Sequence, residues 1–127
     1  MYHFTDEIRK VIILDGVTYI SHLVLEQCEK LESVYIPKSV NEIAWCSFWR
    51  CSNLQYVYFE GNAPRFVYPE ESAPEEEVPN AFYTECLFSE QLPVIYHQSN
   101  SSGWDTSDWT GFTIQEQEYQ VDWSPAD

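Results

Sequence analysis

The chain has 127 residues, of which 44% are hydrophobic, and its 21 acidic and 6 basic residues give a net charge of −15. This length and apolar content suit a single domain over residues 1–127. No apolar run approaches the roughly 18 residues of a membrane helix. The negative charge repels phosphate backbones, so nucleic acid is disfavoured as a partner. Basic proteins, cations and neutral glycans are compatible with this charge, as is a purely solubilising role.

Residues 17–39 and 40–62 repeat one pattern, in which apolar and cysteine positions match in the same order and spacing. The matched pairs are Val17/Val40, Ile20/Ile43, Leu25/Phe48, Cys28/Cys51, Leu31/Leu54, Val34/Val57 and Ile36/Phe59. A period of this length is typical of a stacked solenoid, because one unit cannot bury its apolar face alone. We predict strands near residues 9–13, 32–36, 55–59 and 93–96, with a partial first repeat over residues 1–16.

The repeat frame is interrupted after Pro64. Residues 65–79 contain five glutamates and three prolines. Because clustered like charges repel and proline removes a backbone donor, we predict a solvated loop inserted into a repeat that spans residues 63–96. The frame returns with Cys86, Leu92 and Val94, which aligns Val94 with Val57. Residues 97–127 are then expected to form a C-terminal cap and tail.

The second and third predicted strands and their flanks carry a family resemblance. The residues concerned are Leu31, Val34, Ile36, Pro37, Ser39, Val40, Ile43, Phe48, Cys51, Leu54, Phe59, Gly61 and Pro64. Their order resembles the unit of the BspA-like leucine-rich repeat, although Gln27 and Arg50 stand where the family has glycine before cysteine. The resemblance implies a right-handed leucine-rich-repeat solenoid, β-rich with short strands and little regular helix. It also implies a non-enzymatic, protein-binding scaffold of bacterial type.

Alternate residues of the predicted strands point away from the core and form two columns. One column contains Ile12, Tyr35, Tyr58 and Ile95, and the other contains Lys10, Ser33, Tyr56 and Pro93. Tyrosines on a rigid sheet bury a large area at small entropic cost when a partner binds. We therefore predict a protein-binding face made of Tyr35, Tyr56, Tyr58, Ile12 and Ile95, for a partner of unknown identity. The alternative is that these side chains only stabilise the sheet by cross-strand pairing.

Trp104, Asp105, Asp108 and Trp109 lie close together in the sequence and suggest an alternative function. Aromatic faces can stack on sugar rings while carboxylates accept hydrogen bonds from hydroxyl groups. Trp109, Asp105 and Asp108 would then form a carbohydrate-binding module. The resemblance implies instead that Trp104 belongs to the segment that closes the array, with its ring turned inward.

Cys28 and Cys51 occupy equivalent repeat positions, where parallel side chains keep the Cβ atoms too far apart to bridge. We predict that both are buried free thiols and that reducing agent leaves the melting temperature almost unchanged. A zinc site is the alternative, and its ligands would be Cys46, Cys51 and Cys86 with one of His3, His22 or His97. With four glycines, the chain has no phosphate-binding loop, nucleophile elbow or paired-histidine motif. No catalytic residue, cofactor or resident metal is predicted.

The first ten residues lack the basic and apolar regions of a secretion signal. The family that the chain resembles is often secreted or found on bacterial surfaces, so we expect either a cytoplasmic protein or a fragment of an exported one. Tyr2 and Phe4 are the large residues that could cover the apolar end formed by Ile8, Val11 and Ile13. Because an uncovered solenoid end exposes both core and strand edge, we predict a homodimer through this end.

Overall fold

The computed structural model describes residues 8–22, 24–25, 27–67, 82, 84–106, 109 and 111–117. These residues form short strands and one helical turn. The elements are β1 (Lys10–Ile12), β2 (Tyr19–Ile20), β3 (Ser33–Ile36), β4 (Glu42–Ala44), β5 (Tyr56–Phe59), β6 (Arg65–Val67), α1 (Thr84–Leu87), β7 (Val94–His97) and β8 (Ile114–Glu116). Tyr2 and Phe4, which were expected to cover the N-terminal end, lie outside the described residues.

The strands stack into two parallel sheets. One sheet has the order β1-β3-β5-β7-β8 and the other has the order β2-β4-β6. Ser33 pairs with Tyr56 and Glu42 pairs with Arg65, so β3 and β5 are offset by one full period of the sequence repeat, and so are β4 and β6. The first three turns each add one strand to each sheet, whereas β7 and β8 extend only the larger sheet within the described residues. The predicted solenoid is confirmed.

Equivalent apolar residues of successive turns stack to form the core. In β3 and β5 the residues alternate, and Val34, Ile36, Val57 and Phe59 are each at most 2% exposed. Each side chain of this size contributes about 1.5–3 kcal/mol when fully buried. Because a one-residue shift would turn this set to solvent, the alternation also fixes the register of the sheet.

Polar residues of the repeat connect one turn to the next. The hydroxyl of Ser39 donates a 2.7 Å hydrogen bond to the carbonyl oxygen of Val17 and accepts a 2.9 Å bond from the amide of Gly16. One turn further on, the amide of Lys38 donates to a carboxylate oxygen of Glu60 at 2.9 Å. These bonds pair backbone groups that the short strands leave free.

The position that precedes the repeat cysteine has a left-handed backbone. Gln27 has φ of 60° and Arg50 has φ of 63°. Phe88 takes the equivalent position in the last turn, where Ser89 replaces the cysteine, and its φ is 58°. Side chains with a Cβ atom pay a steric cost in this region, whereas glycine does not. Gln27 and Arg50 therefore adopt the turn conformation that favours glycine, and the turn is less stable than it would be with glycine at these positions.

The predicted start of the insertion at residue 65 is wrong, because Arg65–Val67 forms strand β6. Its Phe66 pairs with Ile43 and is 5% exposed. The amide of Trp45 donates a 2.9 Å hydrogen bond to the carbonyl oxygen of Val67. Phe66 follows Ile43 at the same spacing at which Ile43 follows Ile20, so the repeat frame continues through β6. The rest of the expected insertion, residues 68–79, lies outside the described residues.

The alignment of the last repeat was wrong by one residue. Val57 pairs with Ile95 rather than with Val94, and Ile95 is fully buried. Ile95 is therefore a core residue and not part of an outward face. Pro93 is also buried, and Val94 takes the register position opposite Tyr56. The physical reason is the period-2 geometry of a strand, in which one residue of shift exchanges the two faces.

The C-terminal segment closes the core with aromatic rings. Strand β8 extends the larger sheet by pairing in parallel with β7. The ring of Trp109 is 2% exposed and lies 5.0 Å from Phe66 and 4.9 Å from Trp104, measured between ring centroids. Trp104 is half-buried, and its ring centroid lies 4.9 Å from that of Phe59.

The cysteines divide into one disulfide and two thiols. Cys46 and Cys86 form a disulfide whose Cα atoms are 5.1 Å apart. Cys28 and Cys51 are buried thiols that take no part in a disulfide, as predicted. The disulfide uses two of the three cysteines of the alternative zinc site, so that ligand set is wrong. It also contradicts the expectation that reducing agent leaves the melting temperature unchanged.

Candidate binding face

Three tyrosines form a stacked ladder on the outer side of the larger sheet. Strand alternation turns Tyr35, Tyr58 and Tyr96 outward, and the parallel register places them opposite one another. The ring centroids of Tyr35 and Tyr58 are 4.5 Å apart with an angle of 5° between the planes. Those of Tyr58 and Tyr96 are 4.9 Å apart at 12°. Each ring therefore restricts the rotation of its neighbour.

Tyr56 lies in the adjacent column and completes the surface. Its ring centroid is 6.5 Å from that of Tyr58 and 6.1 Å from that of Tyr96, and its side chain is 39% exposed. We call Tyr35, Tyr56, Tyr58 and Tyr96 the tyrosine face. Four neighbouring aromatic rings offer a partner a large contact area with few rotatable bonds.

The N-terminal side of the tyrosine face carries one apolar and one cationic neighbour. Ile12 pairs with Tyr35 and is half-buried. The ammonium nitrogen of Lys10 lies 4.8 Å from the centroid of the Tyr35 ring. This distance permits a cation–π interaction, in which the negative face of the ring attracts the charge.

The phenol group of Tyr58, at the centre of the ladder, resists ionisation. Burial raises the pKa of Tyr58 to about 12 from its ordinary value of 10.0, and the nearby Tyr35 and Tyr96 add to the rise because their ionised forms would repel a phenolate. At neutral pH the hydroxyl of Tyr58 is therefore protonated and can both donate and accept a hydrogen bond. The centre of the tyrosine face therefore presents a neutral hydroxyl within an acidic protein.

A groove borders the tyrosine face at Tyr56. It has a volume of about 550 Å³ and lies between residues 52–55, which precede β5, and residues 88–92, which precede β7. We call it the edge groove. Phe88, at one side, is 50% exposed, and its ring contacts Trp49 edge-on with centroids 4.6 Å apart. The guanidinium of Arg50 lies 4.7 Å from the centroid of the same ring.

The structure brings together most residues of the predicted binding face. Tyr35, Tyr56, Tyr58 and Ile12 lie on one sheet surface, whereas Ile95 is inside the core. Tyr96 takes the position that was assigned to Ile95. Sequence reasoning missed Tyr96 because of the one-residue error in alignment. It missed the edge groove because the groove lies between two segments of successive turns, and the repeat pattern does not show the space between turns.

The predicted carbohydrate site lacks its aromatic platform. Trp109 is 2% exposed and packs among core rings, so its face is not available to a sugar. Asp105 is exposed, and Asp108 lies outside the described residues. The expectation that Trp109 is an exposed ligand residue is wrong, because the ring fills the end of the aromatic core.

Neither a metal site nor a membrane span is present in the described part of the chain. Its histidine, cysteine and acidic side chains nowhere form a group of three that could hold a metal ion. Of the described residues, none belongs to a helix long and apolar enough to cross a membrane.

Comparison with known proteins finds a match to a family model. A family model described as a BspA-type leucine-rich repeat region of six copies matches residues 1–67, which is just over half of the chain. No curated protein and no solved structure matches the chain.

Proposed function

The chain belongs to the family of BspA-type leucine-rich repeats and is therefore a repeat scaffold, and we propose that it binds another protein through the tyrosine face. The observation that carries the proposal is the stacked ladder of Tyr35, Tyr58 and Tyr96 with Tyr56 beside it. The proposed role requires neither catalysis nor a cofactor.

The ladder supports this role because its rings are already ordered. Binding normally costs about 0.5–1.5 kcal/mol for each flexible side chain that becomes fixed. Tyr58 is stacked on both sides, at 4.5 Å and 4.9 Å, so it loses little freedom when a partner covers it. A buried tyrosine hydroxyl that finds a hydrogen-bond partner also adds specificity.

The net charge of −15 supports a basic surface on the partner. Complementary charge accelerates encounter and discriminates against acidic proteins, while the contact area supplies most of the affinity. The same charge disfavours nucleic acid as the ligand.

The proposal is tested by measuring how tightly a partner isolated from the source organism binds the unaltered chain, a ladder variant and a control variant. A Tyr35→Ala/Tyr58→Ala variant is expected to bind at least about 30-fold more weakly, which corresponds to the roughly 2 kcal/mol of an aromatic hot spot. Tyr19→Ala is the matched control, because Tyr19 is an exposed tyrosine on the smaller sheet. Equal binding by all three forms, with unchanged circular dichroism, would refute the proposal.

A further inference from the structure

The edge groove has a composition distinct from that of the tyrosine face. Its base includes Leu54, which is 3% exposed, and one wall is the exposed ring of Tyr56. Phe88, Leu92 and Val94 add further apolar surface. The other lining residues are polar, and Glu90 is the one charged residue among those that line the groove. The groove therefore combines an apolar base, an aromatic wall and a carboxylate.

Glu90 is available to a ligand. Its side chain is exposed, and within the described part of the chain it forms no ion pair. The basic side chains of Arg9 and Arg65 pair with other carboxylates. A carboxylate beside an aromatic ring attracts a cation by charge, and the ring adds a cation–π interaction.

Four polar residues of the groove are joined in pairs by hydrogen bonds before any ligand arrives. The side-chain amide of Gln55 donates a 3.2 Å hydrogen bond to the side-chain oxygen of Asn53, which leaves the oxygen of Gln55 free to accept from a ligand. Across the groove, the hydroxyl of Ser89 donates a 2.9 Å hydrogen bond to the backbone carbonyl oxygen of Gln91 and accepts a 3.2 Å bond from the backbone N–H of Gln91. Ligand binding would therefore order few groups in the groove.

Aromatic rings on this side of the protein already hold cations. Lys10 lies over Tyr35, and Arg50 lies over Phe88 beside the groove. Tyr56 and Glu90 offer the same chemistry to an external cation. The net charge of −15 draws such a cation toward the protein.

We infer that the edge groove accepts an arginine side chain from the surface of a basic partner protein. The methylene stem would lie over Leu54, and the planar guanidinium would stack on Tyr56 and donate to the carboxylate of Glu90. Arginine suits this site better than lysine does, because its fork can bond two acceptors while its plane stacks on a ring. This inference rests on the proposed function, because Tyr56 belongs to both the groove and the tyrosine face.

The test is an NMR titration of the ¹⁵N-labelled chain with the peptide acetyl-Gly-Arg-Gly-amide. Changes in backbone amide chemical shift are expected to cluster at residues 52–56 and 88–94. A control peptide with citrulline in place of arginine has nearly the same shape without the charge. It is expected to bind the unaltered chain at least about tenfold more weakly than the arginine peptide does. The arginine peptide is expected to bind the Glu90→Gln variant at least about tenfold more weakly than it binds the unaltered chain. Glu116→Gln removes an exposed acid from β8, away from the groove, and is expected to change the affinity less than twofold.

Equal binding of the two peptides, shifts spread over the acidic surface, or no shift at about 10 mM peptide would overturn the inference. The outcome is separable from that of the proposed function. If the peptide binds at the groove while Tyr35→Ala/Tyr58→Ala leaves partner affinity unchanged, the groove is supported and the tyrosine face is rejected. If those tyrosine substitutions weaken the partner while the peptide does not bind, the groove inference alone is overturned.

Discussion

Removal of the Cys46–Cys86 disulfide is expected to cost a large share of the stability. The bond joins residues that are 40 apart in sequence. Constraining an unfolded loop of that length contributes about 4 kcal/mol at 25 °C by the chain-entropy relation. For a domain of this size, 1 kcal/mol corresponds to about 4 °C in melting temperature, so the loss is about 15 °C.

The effect is measured by thermal and urea unfolding of the oxidised chain, the chain in reducing agent and a Cys46→Ala/Cys86→Ala variant. The reduced chain and the variant are expected to melt at similar temperatures, well below the oxidised chain. Reducing agent added to the variant is the control and is expected to have no effect, because Cys28 and Cys51 are already thiols. A melting temperature that stays within about 2 °C after reduction would contradict the expected stabilisation by this disulfide.

Four further results are expected. Burial raises the pKa of both thiols, to about 12 at Cys51, so Cys28 and Cys51 should resist iodoacetamide until the chain unfolds and then react as two thiols per oxidised chain. Gln27→Gly should raise the stability by about 0.5–1 kcal/mol in urea unfolding, because it removes a side chain from a residue with φ of 60°. Stability should fall as pH rises from about 10 to about 12, since the unfolded chain releases the Tyr58 proton at its ordinary pKa of 10.0 while the folded chain holds it to about 12. In the Tyr58→Phe variant, the stability should decrease less over the same pH range. Sedimentation velocity should show a concentration-dependent dimer that Val17→Lys weakens, because Val17 is exposed near the strand edges at the N-terminal end.

Each result has an outcome that contradicts it. Labelling of either thiol in the folded chain would show that the core is open there. A Gln27→Gly variant less stable than the parent would mean that the side chain stabilises more than the backbone costs. An alkaline fall that is equally steep in Tyr58→Phe would remove Tyr58 as its cause. A strict monomer at the highest attainable concentration would exclude the dimer.

Four of the five strands of the larger sheet could be predicted from the sequence, because their apolar residues recur along it, whereas β8 lies in the segment predicted only as a cap and tail. Val34 and Val57 match one period apart, and the predicted segments 32–36 and 55–59 contain β3 and β5. The smaller sheet could not be predicted in the same way. Strand β2 has two residues, and periodicity cannot distinguish so short a strand from a turn.

The remaining errors arose where the period gives no information. The length of the segment between β6 and β7 has no counterpart elsewhere in the chain, so the position of Ile95 could shift by one residue. The pairing of Cys46 with Cys86 depends on how the turn after β4 meets α1, and sequence spacing does not determine disulfide connectivity. The edge groove depends likewise on the meeting of two loops.

Photo-crosslinking from the tyrosine face tests the proposed function most directly. Benzoylphenylalanine in place of Tyr56 projects a reactive group from a ring that is 39% exposed, and the same replacement of Tyr19, which is 44% exposed on the smaller sheet, is the matched control. In the presence of the isolated partner, we expect a crosslinked complex from position 56 and none from position 19. Crosslinking from position 19 with none from position 56 would contradict binding through the tyrosine face.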